Sequence, residues 1–239
     1  MQLPKKVNDE AIRESVVEIR YESDLPQEIL VGLFFQAFDD SYTYTNKPLD
    51  LGQLQQLTRG LPSGINIDFG GVNILYNDKI SLKLSPNSFV FNCVGKYIGW
   101  AAYQPEISKA LMLLFNTGYI AHFSRAGIRY ISEFAGKQLK DCVKLEFSFG
   151  LPEVKSKAFA FRSEFELRDR KAILNLSNNM NATSGQVSSI IDVDIIAEGV
   201  EINSVEELLK ELEDIHQKEK EVYFGMLREE FLHSLQPEY

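Results

Sequence analysis

The sequence contains few of the residues on which disulfide-rich folds and many active sites depend. It has two cysteines, Cys93 and Cys142, three histidines and one tryptophan among 239 residues. Two cysteines so far apart predict neither a disulfide framework nor a zinc site. Without a secretory signal, they are expected to be reduced thiols of a cytoplasmic protein.

Long apolar segments and an excess of basic residues are also missing. No apolar run is long enough for a membrane-spanning helix, and the first residues, MQLPKKVNDEAIRES, lack the apolar stretch of a secretory signal. The formal net charge is −9, and residues 198–239 hold most of it, with twelve acidic and four basic side chains. We therefore expect no membrane insertion and no binding to duplex nucleic acid, which requires a basic surface.

Motifs for catalysis and cofactor binding are absent as well. The glycines follow no phosphate-loop or dinucleotide-binding pattern, and no serine or cysteine lies in the sequence context of a nucleophile. The sequence therefore predicts a protein without catalytic residues, cofactor or metal.

What the chain does contain is a repeated order of strands and helices. Residues 15–22, SVVEIRYE, alternate apolar and charged side chains, which predicts a half-buried strand. Residues 125–134, RAGIRYISEF, contain the same Ile-Arg-Tyr and predict an equivalent strand. Each of these strands precedes a predicted helix, at 26–40 and 136–143, and then a series of short strands.

The remaining elements follow from periodicity and from turn residues. Two more helices are predicted, one at 104–117 and one from 204 to 235 with a bend at Gly225. Residues 41–64 are rich in turn formers and are predicted to be irregular, and residues 178–185 are predicted to form a polar loop. The short strands are predicted at 65–69, 72–76, 79–84, 88–94, 145–149, 158–168, 171–177 and 188–197.

Together these elements predict a single α+β domain over residues 1–239, built from two pseudo-repeats, 15–118 and 123–238. Each repeat has the order strand, helix, four strands, helix, and chain-connection rules return the fifth strand to the side of the first. We expect one curved antiparallel sheet with the two first strands side by side, helices on the outer face and an open inner face. This order is similar to the duplicated saddle of the TATA-box-binding-protein-like architecture, which implies no function by itself.

Short motifs carry a second resemblance. V-x-E-I-R-Y, R-x-G-I-R-Y-I and I-D-V-D, followed by a C-terminal helix with His216 and then Phe224, resemble a sporadically distributed, uncharacterised bacterial family of similar length. Its members usually continue R-Y-I with Asn, where this chain has Ser132. The resemblance implies no activity. The patchy distribution of the family resembles that of mobile or defence-associated genes, such as those of toxin–antitoxin pairs.

Charged side chains on the open face of the sheet form the first candidate site. Arg129 points away from the apolar side of its strand, and Asp192 and Asp194 share one face because they lie two residues apart. Arg20 has the equivalent open-face position in the first repeat. One interpretation is a platform that binds a small ligand or a nucleotide. The other is a cross-strand ion pair that fixes the register of two strands.

Two further uses of this face stay open. The arginines are suited to a single-stranded or phosphorylated ligand. A metal-dependent enzyme would need a third carboxylate near the two aspartates, and Glu164 or Glu166 is only a loose candidate.

The C-terminal helix defines the second candidate region, because its outer face is acidic and its apolar face is long. Trp100, His216 and Phe224 are the residues that we assign to a partner contact, although packing explains each of them as well. The leading hypothesis is a non-enzymatic protein-interaction or scaffold protein that binds another protein or a second copy of itself. The alternative is a small-ligand or nucleotide-binding module that uses the open face.

Overall fold

The computed structural model describes residues 3–8, 11–38, 40–47, 72–85, 87–145, 158–180 and 187–239. Within these residues, the strands are β1 (Lys6–Val7), β2 (Ile12–Glu22), β3 (Thr43–Lys47), β4 (Val72–Tyr76), β5 (Ile80–Ser85), β6 (Ser88–Cys93), β7 (His122–Ala135), β8 (Phe159–Leu167), β9 (Arg170–Met180), β10 (Val187–Ile202) and β11 (Pro237–Glu238). The helices are α1 (Gln27–Phe35), α2 (Trp100–Phe115), α3 (Leu139–Cys142), α4 (Val205–Met226) and α5 (Glu229–Ser234).

A nine-stranded antiparallel sheet organises the fold, in the order β3-β4-β5-β6-β2-β7-β10-β9-β8. The predicted α+β class, the large antiparallel sheet and the long C-terminal helix are confirmed. The two strands that contain Ile-Arg-Tyr, β2 and β7, are neighbours, with Glu18 opposite Gly127. On its other side, β2 pairs with β6 and β7 pairs with β10, the last sheet strand of each half. Duplication of the two halves stays a prediction.

Strict alternation of side chains determines which face of the sheet becomes the core. Ile128 and Tyr130 of β7 are buried on one face, as are Val17 and Ile19 of β2. The helices cover this face: α4 packs on β7 and β10, and α2 packs beside α4. The helices of the described segments are too short or too polar to span a bilayer.

Helix α4 begins at the predicted capping box. The Ser204 side chain accepts a hydrogen bond from the backbone N–H of Glu207, at 3.2 Å, and satisfies one of the free donors of the first turn. Leu208, Leu212 and Ile215 then recur at helical spacing and are fully buried, so this amphipathic face attaches the helix to the sheet.

The C-terminal helix was predicted to continue to residue 235 with a bend at Gly225, but it breaks two residues later. Leu227 and Arg228 both adopt extended backbone conformations. The Arg228 side chain donates hydrogen bonds to the carbonyls of Lys140 and Val143, at 2.8 and 2.9 Å. These contacts with the segment around α3 fix the break, and α5 follows it.

Other boundaries differ from the predictions in smaller ways. Helix α2 starts at Trp100 and not at residue 104, because Gly99 turns the chain there with φ of 81°. Pro105 consequently lies inside the helix. The segment predicted to be irregular contains β3, which pairs with β4. The predicted strand at 65–69, most of the one at 145–149 and most of the predicted polar loop lie outside the described residues.

A two-stranded ribbon of β1 and β11 lies apart from the main sheet. Lys6 pairs with Glu238 and Val7 with Pro237, and the backbone N–H of Lys5 donates to the Glu238 carbonyl at 2.6 Å. We call these two strands, together with Lys5, the terminal clasp. It places residues 5–7 against the C-terminal helix.

Candidate functional site

The open face of the sheet presents charged side chains, and no described helix packs on it. Arg129 and Asp192 form the best-defined pair there. The Arg129 Nε and Nη2 atoms donate to the two carboxylate oxygens of Asp192, at 2.8 and 2.7 Å. Asn175 of β9 donates a third hydrogen bond to Asp192, at 2.8 Å, and the aspartate is only 5% exposed. The pair therefore joins β7 to β10 and is linked to β9.

A second charged group lies between β2, β7 and β10. The Arg125 guanidinium is 2.7 Å from Glu18 and 3.4 Å from Glu198. Arg20 also donates to Glu18, at 2.8 Å. Burial alone would raise the pKa of Glu18, but the arginines outweigh it and the pKa is lowered. Arg20, predicted as a site residue, is thus a member of this group and not of the Arg129 pair.

Asp194 behaves differently from the other predicted site residues. It lies directly opposite Arg129 in the β7–β10 register. No hydrogen bond or ion pair within 4.0 Å connects its carboxylate to the described residues. Burial raises the pKa of Asp194 to about 6, against the opposite effect of Arg129 and Arg125. The two aspartates therefore differ in their contacts: among the described residues, Asp192 is paired with Arg129 and Asp194 is not paired.

Apart from Asp194, the carboxylates named on this face are paired with basic side chains, in ways that do not resemble a metal centre. Glu164, the loose third candidate, binds Arg162 at 2.5 Å and Lys171 at 3.1 Å. Among the described residues, no three histidine, cysteine, aspartate or glutamate side chains converge as metal ligands would.

The three residues assigned to a partner contact meet on the other side of the sheet. Trp100, His216 and Phe224 line one cavity of about 80 Å³, which we call the aromatic pocket. It lies between the C-terminal helix, β7 and the terminal clasp. Its other lining residues are Lys5, Lys6, Val7, Ile12, Tyr97, Gly99, Tyr130, Ser132, Glu219, Lys220 and Tyr223.

Aromatic contacts build the wall of this pocket. The rings of Trp100 and His216 stack, with centroids 4.4 Å apart and planes 22° apart. The Trp100 indole N–H donates to Glu213 at 2.7 Å, which fixes the ring. Tyr130 meets His216 edge to face, and its hydroxyl lies 3.1 Å from that of Tyr97. The wall is therefore built from aromatic rings that pack on one another.

His216 contributes an imidazole to this wall. Its Nδ1 atom is buried and has no hydrogen-bond partner among the described residues. Burial, with a smaller contribution from the charge of Lys220, lowers the pKa of His216 to about 3. The imidazole is consequently neutral at physiological pH and still has unused hydrogen-bonding capacity.

Sequence reasoning found three residues of the pocket and missed the others. On the C-terminal helix, His216, Glu219, Lys220, Tyr223 and Phe224 follow the spacing i, i+3, i+4, i+7, i+8, which marks one face. That signal was present in the sequence. The contributions of the terminal clasp and of Ser132 depend on tertiary packing alone.

Comparisons with known proteins leave the family open. No protein-family model matches the chain, and no curated protein matches it significantly. The resemblance carried by its motifs stays a prediction.

Proposed function

We propose that this protein binds a small molecule in the aromatic pocket and does not transform it. The observation that carries the proposal is the aromatic pocket itself, in which the stacked rings of Trp100 and His216 form one wall of the cavity. Such ring surfaces favour a ligand that carries a ring of its own, because an aromatic pair contributes about 0.5–1.5 kcal/mol beyond the area that it buries.

The size of the pocket bears on the ligand. A cavity of ~150 Å³ holds benzene, whereas this one encloses about 80 Å³. A ring therefore enters only in part, and the rest of the ligand projects past Lys5 and Lys6, which are exposed at the rim. The pocket supports a small planar ligand that spans the interior and the surface.

Binding without turnover is supported by the state of His216. A general acid or base works best when its pKa lies near the working pH, and the pKa of His216 is about 3. A cytoplasmic location belongs to the same proposal, because Cys93 and Cys142 are free thiols, the state expected in a reducing compartment.

Trp100 provides the test, because it is the only tryptophan and lies in the wall of the pocket. We would titrate the protein with phenylacetamide, phenylacetate and phenethylamine, and record tryptophan emission and the melting temperature. We expect saturable binding of at least one probe. Ile12→Phe, which fills the pocket, should abolish it, whereas Val16→Phe, on the open-face side of the same strand, should not. No response to any probe at millimolar concentration would refute the proposal.

A second candidate is the protein-interaction or scaffold function, and the open face favours it. All described helices pack on the opposite side, and the charges of the open face are mostly paired with one another. A partner that covers this face therefore meets few charges that need a new counter-ion. If a second copy is the partner, light scattering should detect a dimer that Ile173→Asp converts to a monomer. A monomer at every concentration would refute the homodimer. A toxin–antitoxin or phage-defence role rests only on the motif resemblance.

A further inference from the structure

The rim of the aromatic pocket has a charge opposite to that of the chain. The formal net charge is −9, and the C-terminal segment is its most acidic part. Yet three lysines line the pocket, Lys5 and Lys6 from the terminal clasp and Lys220 from α4, against a single acidic side chain, Glu219. Two distant parts of the sequence thus bring positive charge to one opening.

Lys220 differs from Lys218 of the same helix in having no carboxylate partner among the described residues. Lys218, two residues earlier, forms an ion pair with Asp214. The Lys220 ammonium has no carboxylate within 4.0 Å among the described residues and donates only a long hydrogen bond, 3.4 Å, to the Lys5 carbonyl. Its surroundings lower its pKa through burial. An ammonium group in this position gains from an anion that enters the pocket.

Lys5 brings a second ammonium group to the rim, and its Nζ atom donates to the main-chain oxygen of Tyr239, at 3.1 Å. Lys6 is paired with Glu238 at 3.3 Å, but both of these side chains are exposed. Exposed ion pairs contribute little and exchange readily. The rim therefore offers ammonium groups that are not committed to a buried partner.

The spacing on α4 relates the rim to the wall. Lys220 lies four residues after His216, so the two side chains are neighbours on one helix face, about 5–6 Å apart at Cβ. A ligand can therefore place its ring beside Trp100 and His216 while its acidic group reaches Lys220. A carboxylate separated from an aromatic ring by one or two bonds matches this distance.

From these contacts we infer that the ligand of the aromatic pocket is a small aromatic carboxylic acid, whose ring lies against Trp100 and His216 and whose carboxylate binds Lys220. This inference rests on the proposed function. It specifies that the ligand is negatively charged, where its acidic group lies, and that Lys220 recognises this group.

The three probes share one ring and differ in charge, so they separate the inference from the function. We expect phenylacetate to bind roughly ten-fold more tightly than neutral phenylacetamide, because a charge-assisted hydrogen bond is added. Phenethylamine should bind most weakly. Added salt should weaken the binding of phenylacetate and leave that of phenylacetamide unchanged.

Lys220→Gln should reduce the affinity for phenylacetate to that of phenylacetamide. Lys210→Gln is the matched control, since it removes the same charge from an exposed position of α4 that does not line the pocket. Equal affinities for phenylacetate and phenylacetamide would overturn the inference and leave the proposed function intact. A preference for phenylacetate that Lys220→Gln does not change would also overturn it. Binding of none of the probes would refute the proposed function itself.

Discussion

Arg129 binds Asp192 and not Asp194, although Asp194 is its direct neighbour across the β7–β10 pair. The guanidinium reaches the diagonal aspartate because both of its donors fit the two carboxylate oxygens there, at 2.8 and 2.7 Å. This bidentate geometry is favourable for arginine and a carboxylate. As a result, Asp192 is bound by two side chains, whereas Asp194 is desolvated and has no partner among the described residues.

Removal of Arg129 should destabilise the protein, because the buried Asp192 carboxylate then loses its counter-charge. Arg129→Met leaves a carboxylate that is 5% exposed with Asn175 as its remaining side-chain donor. We expect the free energy of unfolding to fall by about 3 kcal/mol, as for other broken buried pairs. Urea denaturation measures it. Arg20→Met is the control, because that arginine side chain is 51% exposed and should cost less than about 1 kcal/mol. Equal losses for both variants would contradict this prediction.

Asp194 should make the protein less stable as the pH rises. Its pKa in the folded protein is about 6, above the ordinary value of 3.8. The protonated form therefore stabilises the fold below pH 3.8, and this contribution is lost as the pH rises through 6. Asp194→Asn should raise the free energy of unfolding at pH 7 by up to about 3 kcal/mol.

Urea titrations at pH 4 and pH 7 test this effect, since the gain from Asp194→Asn should be much smaller at pH 4. Asp78→Asn makes the same chemical change at an exposed position. A gain from Asp194→Asn that is the same at both pH values would show that the desolvated charge is not its cause.

His216 has the opposite pH dependence. Its folded-state pKa of about 3 lies below the ordinary value of 6.5. Above pH 6.5 both states are neutral. As the pH falls below 6.5, the unfolded chain takes up a proton that the folded protein cannot bind until pH 3, so stability is lost. At pH 5 this loss amounts to about 2 kcal/mol.

The variant His216→Phe keeps an aromatic ring against Trp100 and removes the titration. It should therefore lose about 2 kcal/mol less than the wild type between pH 7 and pH 5, as measured by urea denaturation. His233→Phe provides a control at an exposed histidine. An unchanged acid sensitivity in His216→Phe would refute the assignment.

Gly225 should be replaceable with a gain in stability. It is exposed within α4, and a Cβ atom built on it meets nothing within 4 Å. Gly225→Ala should stabilise the protein by about 0.5–1 kcal/mol, because alanine reduces the freedom of the unfolded chain. Gly199→Ala should destabilise it despite equally open space, since Gly199 has φ of 67°. Melting temperatures that shift in the same direction for both variants would contradict this reasoning.

The sequence predicts the sheet better than it predicts the contacts between elements. Strands β2 and β7 follow from strict alternation, which is a local signal. Strand β3, with the sequence TYTNK, has no such alternation, and its pairing with β4 at the edge of the sheet defines it. The break after Met226 likewise depends on Arg228 reaching carbonyls far away in sequence.

For the candidate site, too, the sequence predicts the residues better than the contacts between them. Sequence reasoning placed Arg129 and the two aspartates on one face, but alternation does not determine which aspartate the guanidinium selects. Trp100 and His216 were each singled out alone, and nothing local relates residues so distant in sequence. Their stack forms only because α2 and α4 pack side by side.

The pairing of β2 with β7 has a consequence for how the chain folds during synthesis. β2 lies inside the finished sheet, yet it leaves the ribosome long before β7 and is at first an edge strand with unpaired backbone groups. Exposed edges pair readily with other chains, and pairing between distant segments is slow. Until β7 pairs with it, this edge of β2 can bind other new chains. The yield of folded protein should therefore fall as the concentration of newly made chains rises.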